Sequence, residues 1–114
     1  MLTEAQGCQI LAATFKARGH AVARDVDFDA AGVAFNIDGW CETSRVGFEY
    51  RTHADKSDLT HDELLALGEA MEQGLFYIFV IDDDDVGSAD DLRLYANAFL
   101  DEVERRQGLR GVKA

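Results

Sequence analysis

A chain of 114 residues with 47% apolar and 10% aromatic residues, carrying 22 acids against 11 bases for a net charge of −11, can bury one core without staples, which excludes a disordered tail and leaves no length for a second full domain. No run reaches the roughly 18 to 20 apolar residues of a membrane span, and the start "MLTEAQGCQI" lacks the basic and apolar regions of a signal peptide, so a soluble cytoplasmic protein is expected. The acidic field repels a phosphate backbone and the few bases are scattered, which disfavours nucleic acid and leaves a basic protein partner, or simple solubility, as the meaning of the charge.

Thr3 followed by Gln6 has capping-box spacing, and Cys8, Leu11 and Phe15 fall on one face before Lys16, Arg18 and Gly19. A first helix is predicted over about 3–18. The next segment alternates, with Val22, Val26 and Phe28 on one side and Asp25 and Asp27 on the other, up to a turn at Asp29–Gly32. "VAFNID" then reads as the hairpin partner, with Val33, Phe35 and Ile37 inward, and a turn over Gly39–Ser44 leads to "RVGFEYRT", with Val46, Phe48 and Tyr50 inward. Period-2 geometry makes this a three-stranded antiparallel meander with one apolar face.

Asp58 or Thr60 opens a second helix with the stripe Leu64, Leu67 and Met71, and Gly74 ends it. "LFYIFVI", residues 75–81, is apolar throughout, as in a central strand covered on both faces and reached by a helical crossover. Asp82–Asp85 stop it; Ser88 and Asp91 cap a third helix with Leu92, Tyr95, Phe99 and Val103 at helical spacing, closed by Arg105, Arg106 and Gly108. The expected architecture is a single α+β domain over 3–108 in the order α-β-β-β-α-β-α, a mixed sheet of about four strands flanked by helices. Residues 109–114 read as a frayed tail.

Cys8 and Cys41 form neither a disulfide framework nor a zinc pattern, and Cys8 reads as a small core residue. His20, His53 and His61 lack paired metal spacing and read as surface residues. "DDDDVGSADD" fails as a calcium loop, because Val86 fills a ligand place and Arg93 stands where the bidentate Glu belongs. Trp40, in the turn after Asp38, either caps the core or stands exposed as an interaction anchor.

Asp38 on the second strand and Glu49 and Arg51 on the third can share a face if those strands are neighbours, and two carboxylates in reach of one ion can hold Mg²⁺. The element order with D…E-x-R resembles the PD-(D/E)-x-K phosphodiesterases of restriction-endonuclease-like fold. That resemblance implies Asp38 and Glu49 as metal ligands, Arg51 in the place of the family's lysine, and Glu4 as an optional further acid. No proline precedes Asp38, the surface is acidic, and an arginine stays protonated where a lysine can activate water. The alternative is that Glu49 and Arg51 are solvent-facing strand residues paired across strands. The stretch Asp38, Gly39, Trp40, Arg45, Val46, Gly47, Phe48, Glu49, Tyr50 also resembles a D-G-[aromatic]…R-x-V-G-[F/Y]-E-[F/Y] pattern in small bacterial proteins of unknown function.

In size, acidity and helix–strand order the chain is similar to the class I chaperones of type III secretion, which dimerise through an additional strand, and acidic immunity proteins that mask basic toxins are another likeness. The expected function is therefore a non-enzymatic protein-interaction module with a basic partner and no cofactor, a homodimer being one open state. A metal-dependent phosphodiesterase using Asp38, Glu49 and Arg51 is the alternative.

Overall fold

The capping residues decide where the helices start. In the computed structural model, which describes residues 2–52 and 59–111, the Gln6 N–H donates to Thr3 Oγ1 at 3.1 Å and the Thr3 N–H donates to Gln6 Oε1 at 3.0 Å. This closes helix α1, Glu4–Ala17, at its N-terminus. The same reciprocal box, Thr60 with Glu63, opens α2, His61–Glu72. Of the two expected openers, Thr60 is therefore the cap, and Asp58 lies outside the described residues. Ser88 accepts from the Asp91 N–H at 3.2 Å and starts α3, Ala89–Gly111.

Strands β1, Ala23–Ala30, and β2, Val33–Cys41, are joined by Ala31 and Gly32 alone, both with positive φ (55° and 78°). Such a two-residue turn matches the right-handed twist of the flanking strands. β3, Val46–Arg51, runs antiparallel to β2, and β4, Tyr77–Asp82, runs parallel to β3 after the α2 crossover, giving the sheet order β1-β2-β3-β4. The fold is thus α+β in the order α-β-β-β-α-β-α, with a mixed four-stranded sheet and a short 3₁₀ turn at Asp83–Asp85. One core layer joins Cys8, Leu11 and Phe15 of α1 and Leu92 and Leu100 of α3 to Phe48, Tyr50 and Ile81. The other places Leu67 and Ala70 of α2 over Phe35, Ile37, Trp40 and Ile78.

Several expectations change. β4 is an edge strand, not a central one: its apolar run reflects helices on both faces, and facial burial says nothing about lateral neighbours. The meander has two covered faces in β3, where Gly47 and Glu49 are buried along with Val46, Phe48 and Tyr50. β2 continues through Gly39, Trp40 and Cys41, so the turn is confined to Glu42–Arg45 and ends on Arg45 at φ 60°. On α3 the inward stripe is Leu92, Ala96, Leu100 and Val103, while Tyr95 is exposed. The helix passes through Gly108 to Gly111, into the expected tail; residues 112–114 lie outside the described residues.

Gly68, in the middle of α2, meets nothing within 4 Å of an added Cβ and has no positive φ. Glycine there costs backbone entropy without a packing return inside the chain. Gly68→Ala is expected to stabilise the protein by about 0.5–1 kcal/mol, raising Tm by roughly 3–6 °C in a thermal melt; an unchanged or lower Tm would contradict the open space.

Candidate functional site

The candidate site arises where β2 and β3 part. Their ladder consists of Cys41↔Val46, Trp40↔Gly47 and Gly39↔Phe48, and it stops there. Beyond it, the backbone donors of Asp38 and Tyr50 are buried and need acceptors. Side chains supply them: the Asp38 N–H donates to Glu49 Oε1 at 3.0 Å, and the Tyr50 N–H donates to Asp38 Oδ2 at 2.8 Å. On the other side Arg24 Nε donates to the Asp38 carbonyl at 2.9 Å, beside Asp25, whose φ is 53°. Asp38 therefore sits at an interruption of the sheet on both flanks. The interruption also explains why Ile37 and Trp40, three residues apart, contribute to the same core layer: strict alternation would put them on opposite faces.

Three glycines let the surrounding elements close on this point. An added Cβ at Gly39 would lie near the Phe48 ring, one at Gly47 would lie 2.5 Å from the Gly39 carbonyl oxygen, and one at Gly7 would lie 2.8 Å from the Tyr50 ring. Gly7 brings α1 down onto β3, and its neighbour Cys8 is buried in the core, near enough to Asp38 for that charge to raise its thiol. Neither the role of Cys8 here nor that of Arg24 is visible in the sequence.

Asp38 and Glu49 are 8% and 7% exposed. Burial raises both carboxyls, and Glu49 is pushed up to about 8, first by desolvation and then by the Asp38 charge, with Glu4 adding to it. The two carboxyls act on each other, and Glu49, buried beside the Asp38 charge, keeps its proton into the neutral range. Asp38, raised by burial as well, accepts from the Tyr50 N–H. The Cys8 thiol is pushed up to about 12, by burial first and the Asp38 charge second. A thiol raised this far is no nucleophile at neutral pH.

The fold places the expected site residues unequally. Asp38 and Glu49 meet. Arg51 is drawn to Asp82, its register partner on β4, at 3.4 Å. Trp40 is buried against Phe28 and Phe76, donates from Nε1 to Glu42 at 2.6 Å and lies under the Arg45 guanidinium. It caps the core and is not an exposed anchor. His20 is buried as well, against the expectation of a surface position: its Nδ1 lies 2.8 Å from Ser44 Oγ, its ring edge meets Phe15, and desolvation lowers its pKa. His61 is exposed, and His53 lies outside the described residues.

The pair does not fit Mg²⁺ as it stands. One oxygen of each carboxylate is already committed to a backbone N–H. Among the described residues no three His, Cys, Asp or Glu side chains gather into a metal-holding group, whereas Mg²⁺ asks for a near-octahedral oxygen shell with several waters.

Fold and site together define a small acidic α+β domain whose sheet opens around an inward-turned, buried carboxyl pair. No protein-family model matches the chain, and no curated protein and no solved structure gives a significant match. Among the described residues, no helix is long and apolar enough to cross a membrane.

Proposed function

We propose that this protein is a non-enzymatic interaction module that binds a basic protein partner. One observation carries the reading: one oxygen each of Asp38 and Glu49 is used by a backbone N–H group of the opposing strand, and Arg51 is held by Asp82. The residues that would have to bind a metal and a phosphodiester are instead spent on closing the sheet. With the interior acids accounted for in this way, the large surplus of negative charge lies to a great extent on the exposed helix and loop surfaces, where it favours and steers a cationic partner.

The adjacency of Asp38 and Glu49 is what favours the second reading, a metal-dependent phosphodiesterase, since a divalent cation could take the place of the proton on Glu49. Incubation of the full chain with single- and double-stranded DNA and with RNA, in Mg²⁺ and in Mn²⁺, separates the two. No cleavage above that of an Asp38→Asn control is expected. Metal-dependent cleavage that disappears in Asp38→Asn and Glu49→Gln would replace the binding reading with the catalytic one.

A further inference from the structure

The outer face of α2 carries a shallow apolar groove lined by Leu64, Leu65, Gly68, Glu69, Glu72 and Gln73. Leu65 is 55% exposed, and Leu75, just beyond the helix, is 50% exposed. Leu65, Gly68 and Glu72 follow one another at helical spacing on this outer face, opposite Leu67 and Ala70 in the core. Gly68 has open space above it, so its lack of a side chain serves no contact within the chain, but it allows another backbone to approach closely.

The charges of α2 divide into two pairs. Asp62 and Glu63 lie in the first turn, where Glu63 completes the capping box and both meet the positive end of the helix dipole. Glu69 and Glu72 lie in the last turn, where the dipole is negative and the helix has no basic residue. Within α2 nothing offsets these two acids, the nearby cation being Arg106 of α3, which donates to the Met71 carbonyl at 3.5 Å, and both acids flank the groove. A cation brought to the rim would offset their charge, and an apolar ridge would cover Leu65.

We infer that this groove is the docking face for a basic amphipathic helix of another protein, its apolar side on Leu64, Leu65 and Gly68 and its lysines or arginines toward Glu69 and Glu72. The inference deepens the partner-binding reading and rests on it. A second copy of this chain suits the face poorly, because the two acidic rims would repel each other.

The test uses the full chain and a fluorescent Leu/Lys amphipathic peptide of about 18 residues, long enough to hold a helix, followed by anisotropy. A Leu/Glu peptide of the same pattern and a scrambled Leu/Lys peptide are the controls. Saturable binding of the patterned Leu/Lys peptide alone is expected, weakened about tenfold by Leu65→Asp or Gly68→Gln, as for the loss of a central contact. The double variant Glu69→Gln/Glu72→Gln, which changes two exposed side chains and relieves the helix dipole, is expected to weaken binding and flatten its salt dependence. Absence of binding overturns the inference, as does equal binding by the Leu/Glu or scrambled peptide. Undiminished binding by all the variants overturns this face while leaving a partner elsewhere possible. Metal-dependent nucleic-acid cleavage, by contrast, removes the reading on which the inference rests.

Discussion

Gly47→Ala is expected to cost about 3 kcal/mol or more, at the upper end of overpacking effects, and to lower Tm by roughly 10–20 °C. The added Cβ would stand 2.5 Å from the Gly39 carbonyl oxygen, 2.8 Å from the Trp40 ring and 3.1 Å from Ile37 Cδ1. A flexible side chain can move aside at little cost, but the nearest atom here is backbone of the adjoining strand. Separating β2 from β3 at this point would disturb the last rungs of their ladder, Gly39↔Phe48 and Trp40↔Gly47, and with them the placement of Asp38 and Glu49. Denaturant melts of the purified variant measure the loss. A change within about 0.5 kcal/mol, as for an ordinary surface substitution, would show that the strands are not so close.

The second large effect is a pH dependence centred on Glu49. Its carboxyl rises from an ordinary 4.5 to about 8 in the fold, so the folded chain keeps a proton that the unfolded chain releases. The stability this proton carries is fully present below about pH 4.5 and is lost progressively as pH climbs toward 8. Since one pKa unit corresponds to about 1.4 kcal/mol, and the titration belongs to the coupled pair with Asp38, a loss of about 2–4 kcal/mol is expected between pH 5 and 9. Glu49→Gln keeps an oxygen for the Asp38 N–H and donates from its amide where the Glu49 proton stood. It is expected to match the wild type near pH 5 and to exceed it by about 2 kcal/mol near pH 9. His20 acts in the opposite sense: its lowered pKa removes stability as pH falls below about 6.5. The difference between wild type and Glu49→Gln isolates the carboxyl from this background. Parallel stability curves for the two proteins across that range would rule out a retained proton on Glu49.

These two predictions rest on features of unequal visibility. The capping boxes at Thr3 and Thr60, the helical stripe of α1 and the crossover to a parallel strand are local or periodic signals, and they appear in the fold where the sequence places them. The pairing of Asp38 with Glu49 is half legible. Alternation on neighbouring strands puts the two acids near each other, but not inward, and gives no hint of the break in β2 that turns them onto backbone N–H groups. The same alternation places Arg51 with them, whereas its parallel neighbour Asp82 holds it. Trp40, placed in a turn by the nearby Gly39, lies instead on a strand, and of its two expected roles the fold gives it the one in the core.

What the sequence determined by itself is therefore whatever depends on neighbours within a few residues: where helices begin, which faces are apolar, the order of elements and the strongly negative charge. Tertiary structure alone decided that β4 lies at the edge, that Gly7, Gly39 and Gly47 are points of close approach, and that Asp38 and Glu49 are buried together with raised carboxyls. The reason is physical. Caps and periodicity are set by hydrogen bonds and burial along one segment, while strand order, backbone approach and a carboxyl's proton affinity depend on the distance and dielectric between segments remote in sequence.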